Sequence, residues 1–453
     1  MFKSKNQEGF SLVMVLVLIV FISLISAFFA RNIVTDLRRV RTEEERTQAY
    51  YLARSGAQSI AKWLEIADED DIETILGVTS QPVELNEGSF QVELTREYIQ
   101  PEQEEDEDPE NETEEMIYIL EAAGTVNETT ERVTVHLQPL TYSAFDMAVY
   151  AHELLEMTGS SLIDYDAGTG SRQPGSVSLG PAVNIGGDFY IVEGADEEIV
   201  FAVEGDYYSH RDRIAGEVKH FPPIEYELPE FPVFPGDEGS LSFTGTQFVV
   251  QGQQTRYIYS DAWYEEIRVR AGSKVEAHIF DEDLIIQTSS LEVSGSAGIE
   301  VHRHGEGKLI LYVEDEFDIE GSGFINKDGE PEDVIMYYRG EERLDPAGAT
   351  VYKGSLYAQD ADISLAGSGG IQGHILTGGS EVNIVGAATA HVRGLVAPEA
   401  DVNIKGSGEI KGSLIGNTVN MVGAGTVKYD DNIEDLFPFD VEIAGQSFIQ
   451  TWR

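Results

Sequence analysis

Few residues of this chain have the type and spacing needed for metal binding or acid–base chemistry. His302 and His304 lie two residues apart, so on an extended strand their imidazoles would share one face and could ligate a metal. We expect the two histidines to be exposed and their spacing to be a coincidence, and we assign no metal ligand. The chain also has no cysteine, which excludes disulfides, thiolate zinc sites and a cysteine nucleophile.

Carboxylates are abundant, and two of them could be taken for a catalytic pair. Glycoside hydrolysis needs two carboxylates a few ångströms apart. Asp362 and Asp401 occupy equivalent positions in an internal repeat of this chain. Aspartate is common at such positions because its side chain stabilises turns, which explains the two residues better than acid–base catalysis does. The chain contains neither a Gly-x-Ser-x-Gly nucleophile elbow nor a His-Glu-x-x-His zinc motif. We therefore expect no catalytic residue, no cofactor and no enzymatic activity.

The composition is strongly acidic. The 453 residues include 81 acidic and 30 basic side chains, with a formal net charge of −51. A nucleic-acid partner bound through a basic surface is excluded, because phosphate binding needs clustered Lys and Arg. Residues 102–115 hold ten acidic residues in fourteen and are expected to form a solvated, mobile loop. Calcium binding there is the weaker alternative, since no EF-hand spacing is present.

The element that organises the chain is the apolar stretch 10–30, which has 21 residues and no charge. About 20 helical residues cross a bilayer core of ~30 Å, and a single segment in lipid must be a helix to satisfy its backbone hydrogen bonds. A cleavable secretory signal is the alternative. It is disfavoured because the apolar run is long and helical spacing continues to about residue 65.

The residues just before this stretch are Glu8-Gly9, followed by Phe10. They resemble the class III prepilin signal of type IV pilins and pseudopilins. The resemblance implies that 1–9 is a leader, that a membrane prepilin peptidase cuts between Gly9 and Phe10, and that the helix stays attached. It also implies a single-pass protein of the cell membrane with its bulk outside the cell. A positive-inside count of the flanking Lys and Arg gives the opposite orientation, but the resemblance and the acidic bulk favour the outside.

Two further features refine this resemblance. Major pilins carry a glutamate at the fifth mature position, where this chain has Met14. Residues 49–57, Ala-Tyr-Tyr-Leu-Ala-Arg-Ser-Gly-Ala, resemble a stretch of PilX-type minor pilins, with Arg54 where that family has glutamate. The resemblance implies a minor or tip subunit that contacts other pilin-like subunits and membrane lipid through the helix 10–65. A mere stalk is the alternative role for the part of the helix beyond the membrane.

Beyond the helix the pattern is typical of β structure. Alternating residues at 89–94, 116–120 and 132–137 predict strands of a small β module over 66–140. The next segment, 141–236, is rich in Gly and Ser. It ends in five of the fifteen prolines, which predict an extended, semi-rigid connector.

The C-terminal half contains an internal repeat. Its units begin at Gly354, Gly373, Gly394 and Gly412, with spacings of 19, 21 and 18 residues, and each unit contains two short alternating strands. A period near twenty predicts a parallel β-solenoid, here over 237–430.

In such a solenoid Ile384 and Ile404 should touch on adjacent turns, and 431–453 is expected to be a C-terminal cap or tail. The repeat resembles the Gly-rich β-helical domain of PilX-like proteins of Gram-positive bacteria and, more distantly, the bactofilins.

The expected fold class is mainly β: a long N-terminal transmembrane helix, a small β module and a parallel β-solenoid. The expected function is that of a non-enzymatic minor pilin-like protein, anchored in the membrane or incorporated in a type IV pilus-like filament. It would display an extracellular domain for assembly, adhesion or surface interaction, with surface polysaccharide as a further candidate partner. The alternative is a membrane-anchored carbohydrate-active or carbohydrate-binding β-helix protein. A cleft that gathers two or more carboxylates with aromatic residues would favour it.

Overall fold

The computed structural model divides the chain into two compact units. One comprises Met1–Thr141 with Gly445–Arg453, and the other comprises Tyr142–Ala444. The structure describes residues 8–64, 67, 69–85, 88–99, 115–140, 145–201, 210–346, 348–367, 369–386, 392–444 and 447–452. The acidic tract 102–115 lies outside these residues except for Glu115, so the loop and its calcium alternative stay predictions.

The helices and strands are numbered in chain order. The α-helices are α1 (Glu8–Leu64), α2 (Glu69–Ile75), α3 (Glu197–Val200), α4 (Pro235–Glu238) and α5 (Ile433–Leu436), and 3-10 turns span His210–Arg213 and Pro331–Asp333. The strands are β1 (Val83–Leu85), β2 (Gly88–Ile99), β3 (Glu115–Val126), β4 (Thr129–Leu140), β5 (Val149–Gly159), β6 (Leu162–Ile163), β7 (Ala167–Thr169), β8 (Val177–Leu179), β9 (Asn184–Ile185), β10 (Phe189–Val192), β11 (Val218–Phe221), β12 (Glu225–Glu227), β13 (Phe243–Val250), β14 (Thr255–Ile258), β15 (Ala262–Val269), β16 (Lys274–Ile279), β17 (Leu284–Val293), β18 (Gly298–Arg303), β19 (Leu309–Ile319), β20 (Phe324–Ile325), β21 (Val334–Tyr338), β22 (Val351–Lys353), β23 (Ser355–Ala358), β24 (Ile363–Ala366), β25 (Gly370–Thr377), β26 (Glu381–Gly386), β27 (Val392–Gly406), β28 (Glu409–Gly423), β29 (Thr426–Lys428), β30 (Glu442–Ala444) and β31 (Ser447–Trp452).

Helix α1 is continuous over 57 residues, or about 85 Å at ~1.5 Å per residue. This confirms the predicted long N-terminal helix. Its apolar part is long and hydrophobic enough to cross a membrane. The hydroxyl of Ser23, inside that part, donates to the carbonyl oxygen of Ile19 at 2.8 Å. The helix therefore satisfies this polar group internally, as a lipid environment requires.

The C-terminal third of α1 packs on a sheet through small residues. Ala49, Ala53, Ala57 and Ala61 recur every fourth position and are buried, so they form one stripe along the helix. Gly124 of β3 faces this stripe, and a Cβ atom there would lie 2.0 Å from the carbonyl oxygen of Ala49. The small residues on both surfaces allow the helix and strand backbones to approach closely.

The sheet under α1 is antiparallel, with the order β1-β2-β3-β4-β31. Strands β2, β3 and β4 confirm the three strands predicted for the small β module. The C-terminal segment differs from the prediction of a cap or tail, because β31 pairs antiparallel with β4 and completes this sheet. That pairing joins strands about 300 residues apart in sequence, so no local pattern indicates it.

The unit Tyr142–Ala444 is a parallel β-solenoid of about 12 turns, which confirms the predicted fold class. Its strands form three columns. The first column contains β13, β15, β17, β19, β21, β23, β25, β27, β28, β5, β7, β10 and β11, in stacking order. Each strand is parallel to the next, so equivalent residues of successive turns lie side by side.

The stacking order is not the chain order. The earliest strands of this unit, β5 to β11, stack on β28 at one end, whereas β13 lies at the other end and the chain winds back from there. Residues 145–221 therefore belong to the same solenoid as 237–430, which differs from the predicted boundary at 236. Strands β6 to β10 have only two to four residues each, so their alternation is too short to reveal the repeat.

The proline-rich connector links the two ends of the stack. The backbone of Ile224 accepts a hydrogen bond from the Tyr150 hydroxyl at 3.1 Å, and Gly236 donates its N–H to Gln287 Oε1 at 2.6 Å. Tyr150 and Gln287 are separated by seven turn-to-turn steps, or about 34 Å at ~4.8 Å per step. Twelve extended residues span about 37 Å at ~3.1 Å each. The connector therefore runs along the stack in nearly fully extended form, as predicted.

Aromatic side chains hold this connector on the first column. Tyr312, Tyr337 and Tyr357 occupy the same register on successive strands. The ring centroid of Phe231 lies 5.0 Å from that of Tyr357, and the ring centroid of Phe234 lies 4.9 Å from that of Tyr312. Because this column has apolar residues on both faces, the connector forms a second hydrophobic layer outside the central core.

Stacked glycines form one corner of the solenoid. Gly386, Gly406, Gly423 and Gly159 are in register on four successive strands, and each has a left-handed φ between 75° and 103°. A Cβ atom on Gly159 would lie 2.3 Å from the carbonyl oxygen of Gly423. Only glycine accepts both this φ and this approach to the previous turn.

Ile384 and Ile404 are register partners on β26 and β27, and both are fully buried, which confirms their predicted stacking. The adjacent Lys405 is exposed.

We expect Ile404→Asp to destabilise the solenoid strongly, because removing a buried isoleucine side chain already costs about 2–5 kcal/mol and the aspartate adds a buried charge. Thermal unfolding of the detergent-solubilised chain, followed by circular dichroism, measures the loss. Lys405→Asp is the matched control and should leave the midpoint nearly unchanged. Equal effects of the two substitutions would contradict the inward position of Ile404.

Candidate functional site

The predicted processing residues lie at the start of the long helix. Helix α1 begins at Glu8, so the backbones of Gly9 and Phe10 belong to its first turn. Processing between these two residues stays a prediction.

Arg54 lies at the position where PilX-type pilins, which residues 49–57 resemble, have glutamate. Its side chain packs against the C-terminal strand β31. Its guanidinium carbon lies 5.0 Å from the ring centroid of Trp452 in β31. This cation–π contact helps to fix β31 beneath the helix. Arg54 therefore has a structural partner within the same unit.

The two aspartates considered as a catalytic pair have structural roles. Asp362 Oδ1 accepts hydrogen bonds from the N–H groups of Ser380 and Glu381 at 3.0 and 2.9 Å. Partial burial raises the pKa of Asp362, but these hydrogen bonds outweigh it and the net shift is downward. A carboxylate held ionised in this way is a poor general acid. Asp401, one turn beyond Glu381, accepts from the Thr418 hydroxyl at 2.7 Å.

One cleft on the solenoid gathers carboxylates and aromatic residues, as the carbohydrate-active alternative requires. It has a volume of about 350 Å³, and its lining includes Tyr150, Tyr226, Glu225, Glu399 and His152. The Tyr150 side chain is only 1% exposed, and its hydroxyl donates to a backbone carbonyl. Sugar binding by stacking needs an open aromatic face, which Tyr150 does not offer.

A second cleft, of about 380 Å³, is acidic. It is lined by Glu265, Glu266, Asp315 and Glu316 with neighbouring Ser, Thr and Gln residues, and has no aromatic side chain. It therefore lacks the stacking surface of a typical carbohydrate site.

His302 belongs to a group of metal-ligating residue types on the outer face of the third column, which contains β14, β16, β18, β20 and β22 in stacking order. It is the register partner of His278, and Glu276 is the register partner of Glu300. His302 Nε2 lies 3.9 Å from a Glu276 carboxylate oxygen and 3.8 Å from one of Glu300. His304 does not join His302, since its Nε2 lies 2.9 Å from His278 Nδ1.

Sequence reasoning singled out only the two nearby histidines and missed the residues from the neighbouring strand. A signal for them exists: Glu-x-His occurs at 276–278 and again at 300–302, 24 residues later. That offset is one solenoid turn, so the two copies lie side by side.

A buried histidine lies elsewhere in the solenoid. The His374 side chain is fully buried, and neither of its ring nitrogens has a hydrogen-bond partner among the described residues. Its ring packs edge-on against Phe437, with 5.1 Å between centroids. Burial, reinforced by the nearby Arg393 charge, lowers the pKa of His374 to about 4. His374 is therefore neutral in the folded protein at neutral pH.

Residues 263–392 match a family model described as a domain of unknown function, DUF7305. No curated protein matches the chain. Among solved structures, the chain is similar to the competence-associated pilin ComZ from Thermus thermophilus, at 9% identity and a TM-score of 0.20, over 90% of this chain and 98% of that one. A TM-score this low does not establish a shared fold or function.

We expect the solenoid to lose stability as the pH falls from about 6.5 to about 4, because the unfolded chain binds a proton at His374 in this range and the folded chain does not. This histidine alone accounts for about 3 kcal/mol at ~1.36 kcal/mol per pKa unit. His374→Leu should therefore flatten the pH dependence of urea unfolding in this window. His152→Gln, at an exposed position, should not. An unchanged profile in His374→Leu would show that other groups cause the acid sensitivity.

Proposed function

We propose that this chain is a non-enzymatic minor pilin-like protein. Helix α1 inserts in the membrane or in a type IV pilus-like filament, and the solenoid is displayed outside the cell. The observation that carries the proposal is α1 itself, a 57-residue helix that begins at Glu8-Gly9 and exposes every residue from 14 to 44. A prepilin-type leader before such a helix is the arrangement that the pilin resemblance implies.

The length of the exposed apolar surface favours a filament helix over a simple anchor. About 20 residues suffice to cross a bilayer, yet Ile33, Val34, Leu37 and Val40 lie beyond the uncharged stretch and are each at least half exposed. Their spacing places them on one face of the helix. An apolar stripe outside the hydrocarbon core needs another protein surface to cover it. Other pilin-like subunits, packed through the same helix, would provide that surface.

Met14 supports a minor or tip position. A major pilin uses the glutamate at this place to pair with a neighbouring subunit. A carboxylate in hydrocarbon is costly without its partner. Methionine removes both the cost and the pairing, so the subunit enters the assembly without that contact. This suits a subunit at the end of a filament better than one that is repeated along it.

The solenoid suits display outside the cell. Its cysteine-free core is stabilised by burial and by the parallel strand ladder, so it needs no redox chemistry to fold. The net charge of −51 keeps such a surface soluble and repels anionic lipid. Adhesion, assembly and contact with surface polysaccharide are the roles we propose for it. The carbohydrate-active alternative rests on Glu225 and Glu399 in the 350 Å³ cleft, where the ring of Tyr150 is buried.

Processing between Gly9 and Phe10 is the first test. N-terminal sequencing of the chain extracted from membranes of cells with an active prepilin peptidase should give Phe-Ser-Leu-Val. Gly9→Val should leave the longer precursor, because it replaces the glycine of the prepilin-like signal by a branched side chain. Gln7→Ala is the matched control and should be processed normally. A wild-type chain that keeps Met1 in these cells would contradict the pilin-like proposal.

Contact with other subunits is the second test, and the absence of cysteine makes it direct. Leu37→Cys places a single thiol on the apolar stripe, and Arg39→Cys places one on the opposite side of α1. A cross-linker with a maleimide at one end and a photoreactive group at the other should join the Leu37→Cys chain to pilin-sized partners in cells and leave the Arg39→Cys chain largely unlinked. Equal cross-linking at both positions, or none at Leu37, would favour a simple anchor.

A further inference from the structure

We propose that Glu276, His278, Glu300 and His302 form a binding site for a divalent transition-metal ion of the zinc type, on the outer face of the third solenoid column. The proposal concerns a site within the solenoid and is independent of how α1 is used. Its residues come from the neighbouring strands β16 and β18, which are paired in parallel register.

The register brings together groups that repel each other without a cation. Glu276 lies directly opposite Glu300, and His278 lies directly opposite His302. Like charges at directly opposite positions destabilise a sheet. Lys274 pairs with Glu300 and offsets part of this repulsion. A divalent ion held by both carboxylates would remove the rest.

The distances suit a metal after small side-chain rotations. One ligand atom each from Glu276, Glu300 and His302 lies within 4.8 Å of the other two. His278 Nε2 and His302 Nε2 lie 3.6 and 3.9 Å from the same Glu276 oxygen. Ligand atoms in a tetrahedral zinc site with bonds of ~2.0–2.2 Å are about 3.3–3.6 Å apart. Glu276, Glu300 and His302 therefore need to close only slightly around an ion. His278, whose Nε2 lies near Glu276 but outside this group of three, must rotate further to become the fourth ligand.

The hydrogen bonds of the histidines leave the required nitrogens free. Neither His278 Nε2 nor His302 Nε2 has a hydrogen-bond partner among the described residues, although both atoms are shielded from solvent. His278 Nδ1 lies 2.9 Å from His304 Nε2. When His278 donates its Nδ1–H in this bond, the lone pair of its Nε2 points toward Glu276. A lone pair facing a carboxylate is unfavourable unless a cation lies between them.

Neighbouring aromatic rings fix the orientation of these imidazoles. Tyr259 stacks on His278 with 4.8 Å between ring centroids and 15° between planes, and Phe280 stacks on His304 with 5.1 Å between centroids. A ligand whose ring orientation is set by packing loses less entropy when it binds a metal.

The chemistry of the donors indicates the class of ion. Two imidazole nitrogens with two carboxylate oxygens suit zinc and its divalent neighbours, whereas calcium and magnesium prefer oxygen alone. The ion would cross-link two adjacent turns near the β13 end of the stack, where β14 pairs only with β16 among the described strands. Terminal turns of repeat structures have neighbours on one side only and open most readily. The ion would therefore stabilise this end of the solenoid.

The test measures zinc binding to the full chain in detergent micelles, after removal of metal by a chelator and in excess magnesium, which occupies weak acidic sites. Equilibrium dialysis should find one zinc ion per chain that magnesium does not displace. Cobalt substitution should give the visible absorption of a tetrahedral ion. Zinc should also raise the midpoint of thermal unfolding.

The variants separate this site from the other acidic groups. His302→Gln should weaken zinc binding by about 100-fold or more and abolish the thermal shift. His304→Gln, a positioning residue that acts through His278, should weaken binding by about 10–100-fold. His152→Gln, on an exposed residue elsewhere, should bind as the wild type does. If the circular dichroism spectrum shows that His302→Gln disturbs the fold, Glu300→Gln tests the same site by removing a carboxylate ligand instead. Zinc binding that is equal in wild type, His302→Gln and Glu300→Gln, or no tighter than magnesium binding, would overturn the proposal.

Discussion

The in-register stacking of one turn on the next is the constraint on which the solenoid depends. Each turn must close at the same corner, because a shift of one residue would move the apolar side chains out of the core. The stacked glycines at positions such as 406 and 423 impose this closure, since the chain there has a left-handed φ and lies against the carbonyl of the previous turn. A side chain at either position would push two turns apart. The rest of the unit follows from this repeated geometry.

The stacking also explains why the chain order is interrupted. Strands of the first column present apolar residues on both faces, including the tyrosines at 312, 337 and 357, so one face remains open after the central core has formed. The extended connector covers that face, and it can do so only if the chain travels the length of the stack before it winds back. A second cover comes from the segment after α5, where Phe439 packs against Tyr337 and Tyr357. The proline-rich connector therefore both spans the length of the stack and covers the outer face of the first column.

Much of this architecture could be predicted from residues close in sequence. The uncharged stretch 10–30 indicates α1, and the glycine period is enough to place Ile384 opposite Ile404. What could not be predicted depends on which turn neighbours which. The pairing of β5 with β28 joins segments more than 250 residues apart, and the short strands of 162–192 carry too little alternation to show the repeat. The same reason explains the missed residues around His302, because Glu276 and His278 are close to it only across one turn.

Parallel in-register stacking has an electrostatic consequence in a chain this acidic. Equivalent positions on successive turns tend to carry similar residues, so carboxylates come to face carboxylates, as Glu381 faces Asp401. Some basic side chains lie beside these carboxylates: Arg343 lies 2.6 Å from Glu381 and 3.5 Å from Asp362, and Arg270 pairs with Glu292. Where two glutamates face each other beside two histidines, one lysine pairs with only one of them. A solenoid of this charge therefore needs cations in its ladders, supplied by arginine at some turns and, at positions 276 and 300, by the ion that we propose.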